Sequence, residues 1–282
     1  MLRSTRAQRF TMSSEPALLY EKSGGVATLT MNRPAVRNAL NAEMLCRLAD
    51  AWQDVQDDPA VRVAILTGAG EEAFSAGADL DRLVRMMQGL RPPETEFDQR
   101  ILADYSIIYK GLLRNFEVTK PIIAAVRGFC VAGGTEILQA TDIRIAAEDA
   151  RFAIAEVKWS LFPMGGSTAR LPRQIAFCNA MEILLMGEQF SAADALRIGL
   201  INRIMPAAKV LDEARRCAEV ICGNGPLAVQ AVKRSVLAGL GRPTVEALEK
   251  EMEIGIPVSG SEDAKEGTRA FKEKRKPVFK GR

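Results

Sequence analysis

Short apolar runs alternate with segments of helical spacing up to Pro206, and this alternation restricts the fold more than any other feature of the chain. Residues 26–31, 61–67 and 122–126 are mostly apolar and short, which predicts buried strands. Residues 41–56 place apolar side chains on one face of a helix. Beyond Pro206 the pattern is helical almost to the end. Strands that alternate with helices and then give way to helices indicate an α/β core followed by a helical region.

Glycine and proline mark where the predicted elements end. Gly89 and the prolines after it interrupt residues 83–118, which we predict to be a loop flanked by helices. In the helical region, breaks are predicted at 223–226, 239–243 and 257–260. We therefore divide the chain into three parts. They are an N-terminal tail at 1–15, a core at 16–206 and a helical C-terminal region at 207–282.

The 282-residue chain has 48% hydrophobic residues and a net charge of +3, which is ordinary globular composition. No apolar stretch reaches the roughly 18 residues that a membrane span needs, so no membrane partner is expected. The charge is too small to indicate nucleic-acid binding. Five scattered cysteines without a CxxC pair indicate neither a disulfide framework nor a zinc site, and they favour the cytoplasm.

The chain contains no histidine, and this absence excludes several catalytic chemistries together. A Ser-His-Asp triad, a Cys-His pair, an HExxH zinc site and an imidazole base all require that residue. Catalysis must therefore use carboxylates, lysines, tyrosines, cysteines or backbone amides. Any loss of activity near neutral pH is then expected to come from a glutamate, a cysteine or the N-terminus.

Two familiar motifs are only approximated. Residues 68–73 match GxGxxA, but Glu71 and Glu72 would lie where a dinucleotide's pyrophosphate needs amides. We interpret the stretch as a glycine-rich turn. Residues 73–77 resemble a nucleophile elbow, yet Ser75 has no histidine to activate it.

The informative pattern combines two turns of small residues, each following a predicted strand. The turns are FSAGADL at 74–80 and AGGTE at 132–136, and a helix is predicted at 135–140. Small side chains let a ligand approach the backbone and leave peptide N–H groups exposed. Two such N–H groups that converge on one carbonyl oxygen form an oxyanion hole, which needs no histidine.

Six stretches in this order resemble the crotonase, or enoyl-CoA hydratase/isomerase, family from about Val26 to Gly281. They are MNRP with NAL at 31–40, FSAGADL at 74–80, GFCVAGGTEILQATD at 128–142, ARF leading to Glu156, FPMGGSTARL at 162–171, and KEG with AF and EKR at 265–275. The resemblance implies a spiral of ββα turns with a C-terminal helical region used for trimerisation. It also implies a homotrimer or a dimer of trimers.

The resemblance implies that two amides and two glutamates form the catalytic site. Ala78 and Gly133 would supply the amides that hold a thioester oxygen, and Glu136 and Glu156 would handle water and proton. The implied reaction is reversible hydration of a trans-2-enoyl-CoA. Which glutamate is acid and which is base stays open.

CoA is expected to enter as part of the substrate, so neither a separate cofactor nor a metal is implied. The resemblance assigns substrate and CoA binding to Arg37, Ala39, Ala76, Ala78, Asp79, Leu80, Gly133 and Lys274. Arg37 or Lys274 would meet phosphate. An ordinary solvated side chain is the alternative for Arg37, and a charge at a helix end for Lys274.

The residues themselves give each glutamate a physical reason to act. Glu136 falls in the first turn of a predicted helix, where a carboxylate is stabilised. Glu156 lies among Ala153, Ile154 and Val157, and loss of solvent there favours its protonated form. A helix-end charge and a surface glutamate are the alternative interpretations.

Three departures from the family pattern leave the substrate open. Ala132 replaces a glycine, Ala155 replaces a proline, and WSLFPM occupies 159–164. The alternatives are isomerisation or dehydration of a specialised acyl-CoA, RNA binding, and a non-catalytic scaffold. Residues 41–56 are acidic, which disfavours RNA, and the two retained glutamates disfavour a scaffold.

Overall fold

Strands form two sheets within residues 15–282, which are the residues that the computed structural model describes. The predicted tail at 1–15 lies outside them except for Glu15. The strands are β1 (Leu18–Ser23), β2 (Val26–Met31), β3 (Val63–Gly68), β4 (Ala73–Ser75), β5 (Ile122–Val126), β6 (Phe129–Val131), β7 (Ile143–Ala147), β8 (Arg151–Ala153), β9 (Phe190–Ser191) and β10 (Arg203–Met205). The six-stranded sheet has the order β1-β2-β3-β5-β7-β10, and the four-stranded sheet has the order β4-β6-β8-β9.

Helices connect successive turns of this arrangement. They are α1 (Ala42–Asp57), α2 (Arg85–Met87), α3 (Glu96–Ala103), α4 (Ser106–Gly111), α5 (Gly133–Leu138), α6 (Ser167–Gln174), α7 (Phe177–Met186), α8 (Ala192–Arg197), α9 (Val210–Cys222), α10 (Pro226–Gly239), α11 (Thr244–Ser259) and α12 (Glu262–Lys272). The predicted loop flanked by helices at 83–118 is confirmed, with α2 before it and α3 and α4 after it.

Each turn of the chain gives one strand to each sheet. β3 and β4, β5 and β6, and β7 and β8 are such pairs, and the strands of successive turns pair in parallel. Because parallel pairing requires a crossover, a helical segment follows each pair. The predicted spiral of ββα turns is confirmed. The GxGxxA stretch joins β3 to β4, strand to strand, so it opens no helix and does not form a dinucleotide fingerprint.

Burial explains why the central elements form where they do. All five residues of β5 and all six of β3 are buried, as expected for parallel strands covered on both faces. α1 begins where the Asn41 side chain accepts the Met44 amide at 2.9 Å, and it buries Leu45, Leu48 and Trp52. The helix predicted at 41–56 is therefore confirmed within one residue at each end.

The chain is helical after β10 ends at Met205. α9 packs against β3, β5 and β7, whereas α10 and α11 pack on each other and α11 buries no residue. The predicted breaks at 223–226 and 239–243 are confirmed. The break predicted at 257–260 is present but begins later, at Gly260, because α11 continues through Pro257 to Ser259 and α12 begins at Glu262. Pro257 has no N–H to donate to the carbonyl of Glu253, four residues earlier. Glu253 is exposed, so the last turn of the helix tolerates the proline.

No helix within residues 15–282 is both long enough and apolar enough to cross a bilayer.

Candidate active site

The turn after β4 and the turn that begins α5 lie against each other. A Cβ placed on Gly77 would lie 2.9 Å from the amide nitrogen of Gly133. A Cβ placed on Gly133 would lie 3.6 Å from the amide nitrogen of Ala78. Glycine at these positions permits the close approach. The fold thus brings together the two amides that the sequence predicts to hold one carbonyl oxygen.

The amide of Ala78 points away from the segment that supports its turn. Leu40 pairs in parallel with Ala78, donating to the Gly77 carbonyl at 2.8 Å and accepting from the Asp79 amide at 3.0 Å. In such pairing the N–H of Ala78, which lies between the two hydrogen-bonded residues, points away from Leu40. Neither this amide nor that of Gly133 donates a hydrogen bond within the part of the chain that the structure describes. Both donors are therefore available to a ligand.

α5 begins two residues before the predicted position. Ala132 precedes it with φ 49° and ψ −124°, a combination that favours glycine, and this kink lets Gly133 start the helix. Ala132 is held by its amide, which donates to the Ala153 carbonyl at 2.9 Å. The Thr135 hydroxyl donates to the same carbonyl, also at 2.9 Å. The neighbouring strand thus stabilises the strained turn.

Glu136 lies in the first turn of α5 and is 4% exposed. Its Oε1 accepts the Ser167 amide at the start of α6 at 3.3 Å. Burial raises the pKa of Glu136 above its ordinary value, and hydrogen bonds from Ser167, Gly165 and Gly166 counteract that shift. The carboxylate therefore has several partners that favour its ionised form.

Glu156 follows β8 in a 3-10 turn, Glu156–Trp159. Its Oε2 is buried and accepts no hydrogen bond from the described residues. Burial and, to a smaller extent, the charge of Glu136 raise the pKa of Glu156 to about 7. A carboxyl group with these surroundings is a candidate general acid. The electrostatic interaction also places the two glutamates at one site.

The segment around residues 37–40 runs beside the turn after β4. The Arg37 carbonyl accepts the Ala76 amide at 2.8 Å, and the Ala39 carbonyl accepts Nη1 of Arg33 at 2.5 Å. The Arg37 guanidinium is exposed, lies over the Phe129 ring and pairs with Glu72 at 3.3 Å. The predicted CoA contact of Arg37 stays a prediction.

Asp79 and Leu80 continue the same turn. The Asp79 carboxylate accepts Nη1 of Arg33 at 2.8 Å and the Arg82 amide at 2.9 Å, so it shapes the turn. Leu80 is 60% exposed. Lys274 follows α12 and is exposed, and no contact within residues 15–282 joins its side chain to this turn. Their predicted contacts with CoA also stay predictions.

The sequence alone did not identify Gly165, Gly166, Ser167 and Arg170 as site residues. A Cβ on Gly165 would lie 2.5 Å from Oε2 of Glu136, so glycine there makes room for the carboxylate. A glycine pair directly before a helix was the available signal, because such pairs expose amides. What the sequence does not show is that this turn faces α5.

These groups match one kind of chemistry. Two free amides can polarise a carbonyl oxygen, and two carboxyl groups with different proton affinities can move a proton and activate water. Ser75, in contrast, is buried and its hydroxyl donates to the Asn38 carbonyl at 2.9 Å, which is a structural role.

The fold and the arrangement of these groups suit an enzyme that acts on a carbonyl compound. The model of the enoyl-CoA hydratase/isomerase family matches residues 21–282. The chain therefore belongs to this family, and the predicted crotonase fold is confirmed.

Several relatives are similar over nearly their whole length. The Mycobacterium tuberculosis protein named enoyl-CoA hydratase EchA19 is 47% identical over 272 residues, which are 96% of this chain and 99% of that protein. The (E)-benzylidenesuccinyl-CoA hydratase of Thauera aromatica is 39% identical over 261 residues, covering 93% and 98%. The crystal structure of enoyl-CoA hydratase EchA1 from Mycobacterium marinum matches with a TM-score of 0.85 at 38% identity, covering 95% and 100%.

Proposed function

We propose that the protein catalyses the reversible syn addition of water to a trans-2-enoyl-CoA, giving a 3-hydroxyacyl-CoA. The observation that supports this most directly is the pair of unpaired amides, Ala78 and Gly133, beside two buried carboxyl groups in different surroundings. The name of the Mycobacterium tuberculosis relative supports the same reaction.

The amides would act on the thioester carbonyl. Hydrogen bonds from Ala78 and Gly133 withdraw electrons from the conjugated double bond and stabilise the enolate-like charge that develops on oxygen. One such donor typically contributes about a hundredfold to a thousandfold in rate. Because neither amide donates a hydrogen bond to any of the residues 15–282, the site is organised for this charge before substrate binds.

The surroundings of the two carboxyl groups suggest a division of labour. Glu136 would be ionised and take a proton from the water that attacks C3, since amides at the start of α6 stabilise its negative charge. Glu156 would be protonated and donate to C2, since its buried Oε2 has no hydrogen-bond donor among the described residues. In the reverse direction the roles exchange.

Substrate binding follows the sequence prediction. We propose that Ala39, Ala76, Asp79 and Leu80 line the path of CoA and that Arg37 or Lys274 meets phosphate. No cofactor or metal is required, because CoA is part of the substrate. The cytoplasm is the proposed location, which agrees with five free cysteines.

The test is hydration of crotonyl-CoA and a series of longer enoyl-CoAs, followed by loss of the conjugated absorbance and by mass analysis in H₂¹⁸O. We expect one ¹⁸O in the 3-hydroxyacyl product. Conversion of 3-enoyl to 2-enoyl-CoA without hydration would replace the proposal with an isomerase. Binding of acyl-CoA without turnover of any substrate would indicate a scaffold.

A specialised acyl group is a second candidate, favoured by the segment just after Glu156. Trp159, Phe162 and Met164 are 73%, 66% and 54% exposed there. Such apolar surface suits a bulky acyl group better than a crotonyl group. The relative from Thauera aromatica is named for a benzylidenesuccinyl substrate. A kcat/KM for an aryl-substituted enoyl-CoA at least tenfold above that for crotonyl-CoA would favour this candidate.

Self-association as a trimer or a dimer of trimers is also proposed. α11 presents exposed apolar side chains at helical spacing, Val245, Leu248, Met252 and Ile256. Light scattering is expected to give three or six times the 30.7 kDa chain mass. M252E should lower that mass, whereas E251Q on the polar side should not. A monomeric wild-type protein would contradict the proposal.

A further inference from the structure

We propose that Arg170 is a positioning residue for Glu136. It fixes the glycine turn whose amides face that carboxylate, and it keeps a positive charge beside it, so that Glu136 is ionised when water binds. The proposal rests on the proposed hydratase function, in which Glu136 is the base.

The guanidinium of Arg170 lies directly on the turn before α6. Its Nη1 donates to the Gly165 carbonyl at 3.3 Å. Gly166 has φ 121°, and a Cβ placed on it would lie 3.0 Å from the same Nη1. The other arm, Nη2, donates to the carbonyl of Leu113. Arg170 thus joins the turn to the segment after α4.

The hydrogen bond from Arg170 to the Gly165 carbonyl determines the orientation of the peptide groups in the turn. With the Gly165 carbonyl held by Arg170, the N–H groups of Gly165, Gly166 and Ser167 face Glu136. The Ser167 amide reaches its Oε1 at 3.3 Å. If the carbonyl were released, the turn could rotate and withdraw those donors. The effect on Glu136 is therefore transmitted through a backbone that Arg170 holds.

Arg170 also acts on Glu136 through its charge. Within residues 15–282 it forms no ion pair, and the attraction of Glu136 raises its pKa against the lowering by burial. The charged and titratable groups that act on this pair are Glu156, on the turn after β8, which interacts with Glu136, and Arg114, which repels Arg170. The attraction is mutual, so Arg170 favours the ionised form of Glu136.

A neutral variant and a charged variant of Arg170 separate the effect of its hydrogen bonds from the effect of its charge. R170M removes the hydrogen bonds and the charge, and we expect the acidic limb of the kcat/KM profile to move to higher pH by about one unit. Its rate should therefore fall more at pH 6 than at pH 8, by a factor of up to about ten. R170K keeps the charge but cannot make both hydrogen bonds of the guanidinium. Its rate should therefore fall at every pH, and the acidic limb should move little. R173M, an exposed arginine on the same helix, is the control and should match wild type.

The same effect can be measured without turnover. Glutamate carboxyl carbons labelled with ¹³C are titrated in wild type, R170M and R173M, and E136Q identifies the Glu136 signal. We expect that signal to titrate at higher pH in R170M only. An unchanged titration, or a rate loss in R170M that is equal at all pH, would overturn the proposal.

If R170M does not fold, wild-type turnover by R170K would overturn it instead. A wild-type protein with no hydratase activity would contradict the proposed function, and the titration would still test Arg170.

Discussion

Glu136 and Glu156 are both largely removed from water, yet their surroundings are opposite. Glu136 accepts an amide at the start of α6 and lies beside the positive charge of Arg170. Glu156 has a buried oxygen without a donor in the described part of the chain, and its neighbouring charge is the negative Glu136. Identical residue types thus acquire different proton affinities from donors and charges that other segments supply. In the proposed reaction this difference assigns the base and the acid.

Replacing each glutamate by glutamine is the change with the largest expected effect. E136Q and E156Q should each lower kcat for hydration by about a hundredfold to ten-thousandfold, because each removes one proton-transfer group. The two should differ in a second measurement, exchange of the C2 hydrogen of butyryl-CoA with D₂O. E156Q should abolish that exchange, since Glu156 is the proposed proton donor to C2, and E136Q should retain it.

The control for both is E251Q, an exposed glutamate on α11, which should keep wild-type activity. Affinity for butyryl-CoA should stay within about threefold in all three variants. Exchange lost in E136Q and kept in E156Q would reverse the assignment of acid and base. Full hydration by both glutamine variants would eliminate the two-carboxylate mechanism.

A methyl group at Gly165 tests the space that Glu136 occupies. In G165A the new Cβ would lie 2.5 Å from Oε2 and 2.9 Å from Cβ of Glu136, so the carboxylate must move. Displacement of a catalytic group by about 1 Å costs roughly a hundredfold in rate, and we expect a loss of that size in kcat. G255A is the matched control, because a Cβ there meets no atom within 4 Å. Wild-type kcat in folded G165A would show that the position of Glu136 is not critical.

The proton affinities predict a bell-shaped dependence of kcat/KM on pH. Hydration needs Glu156 protonated, so the rate should fall about tenfold per pH unit above the pKa of Glu156, which burial raises to about 7. It should also fall at low pH as Glu136 becomes protonated. Burial raises the pKa of the Cys46 thiol to about 11 and that of Cys130 to about 12, so neither titrates near neutrality.

The exposed Cys178 provides the control for the basic limb. C178S should leave the profile unchanged, whereas E156Q should lose the limb near pH 7 together with most of its rate. A profile that stays flat to pH 9 in the wild type would contradict the role of Glu156 as acid.

The strands were predictable because parallel strands covered on both faces are short and apolar, as β3 and β5 are. The amide turns were predictable because small residues follow buried strands. Arg170 was not, because its function depends on a contact between α6 and α5, segments about thirty residues apart in sequence. The break predicted at 257–260 begins three residues later for a local reason, since a proline in the last exposed turn does not end a helix.

Each glutamate lies four residues from a non-glycine residue with positive φ, which gives the smallest predicted effects. Ala132 before Glu136 has φ 49° and ψ −124°, whereas Ser160 after Glu156 has φ 56° and ψ 31° in the ordinary left-handed region. Glycine relieves strain of roughly 1–3 kcal/mol but costs about 0.5–1 kcal/mol of chain entropy. A132G should therefore raise the free energy of unfolding by about 1 kcal/mol, and S160G by a few tenths, measured by urea unfolding. A larger gain in S160G would mean that the turn carrying Glu156 stores more strain than the one leading to Glu136.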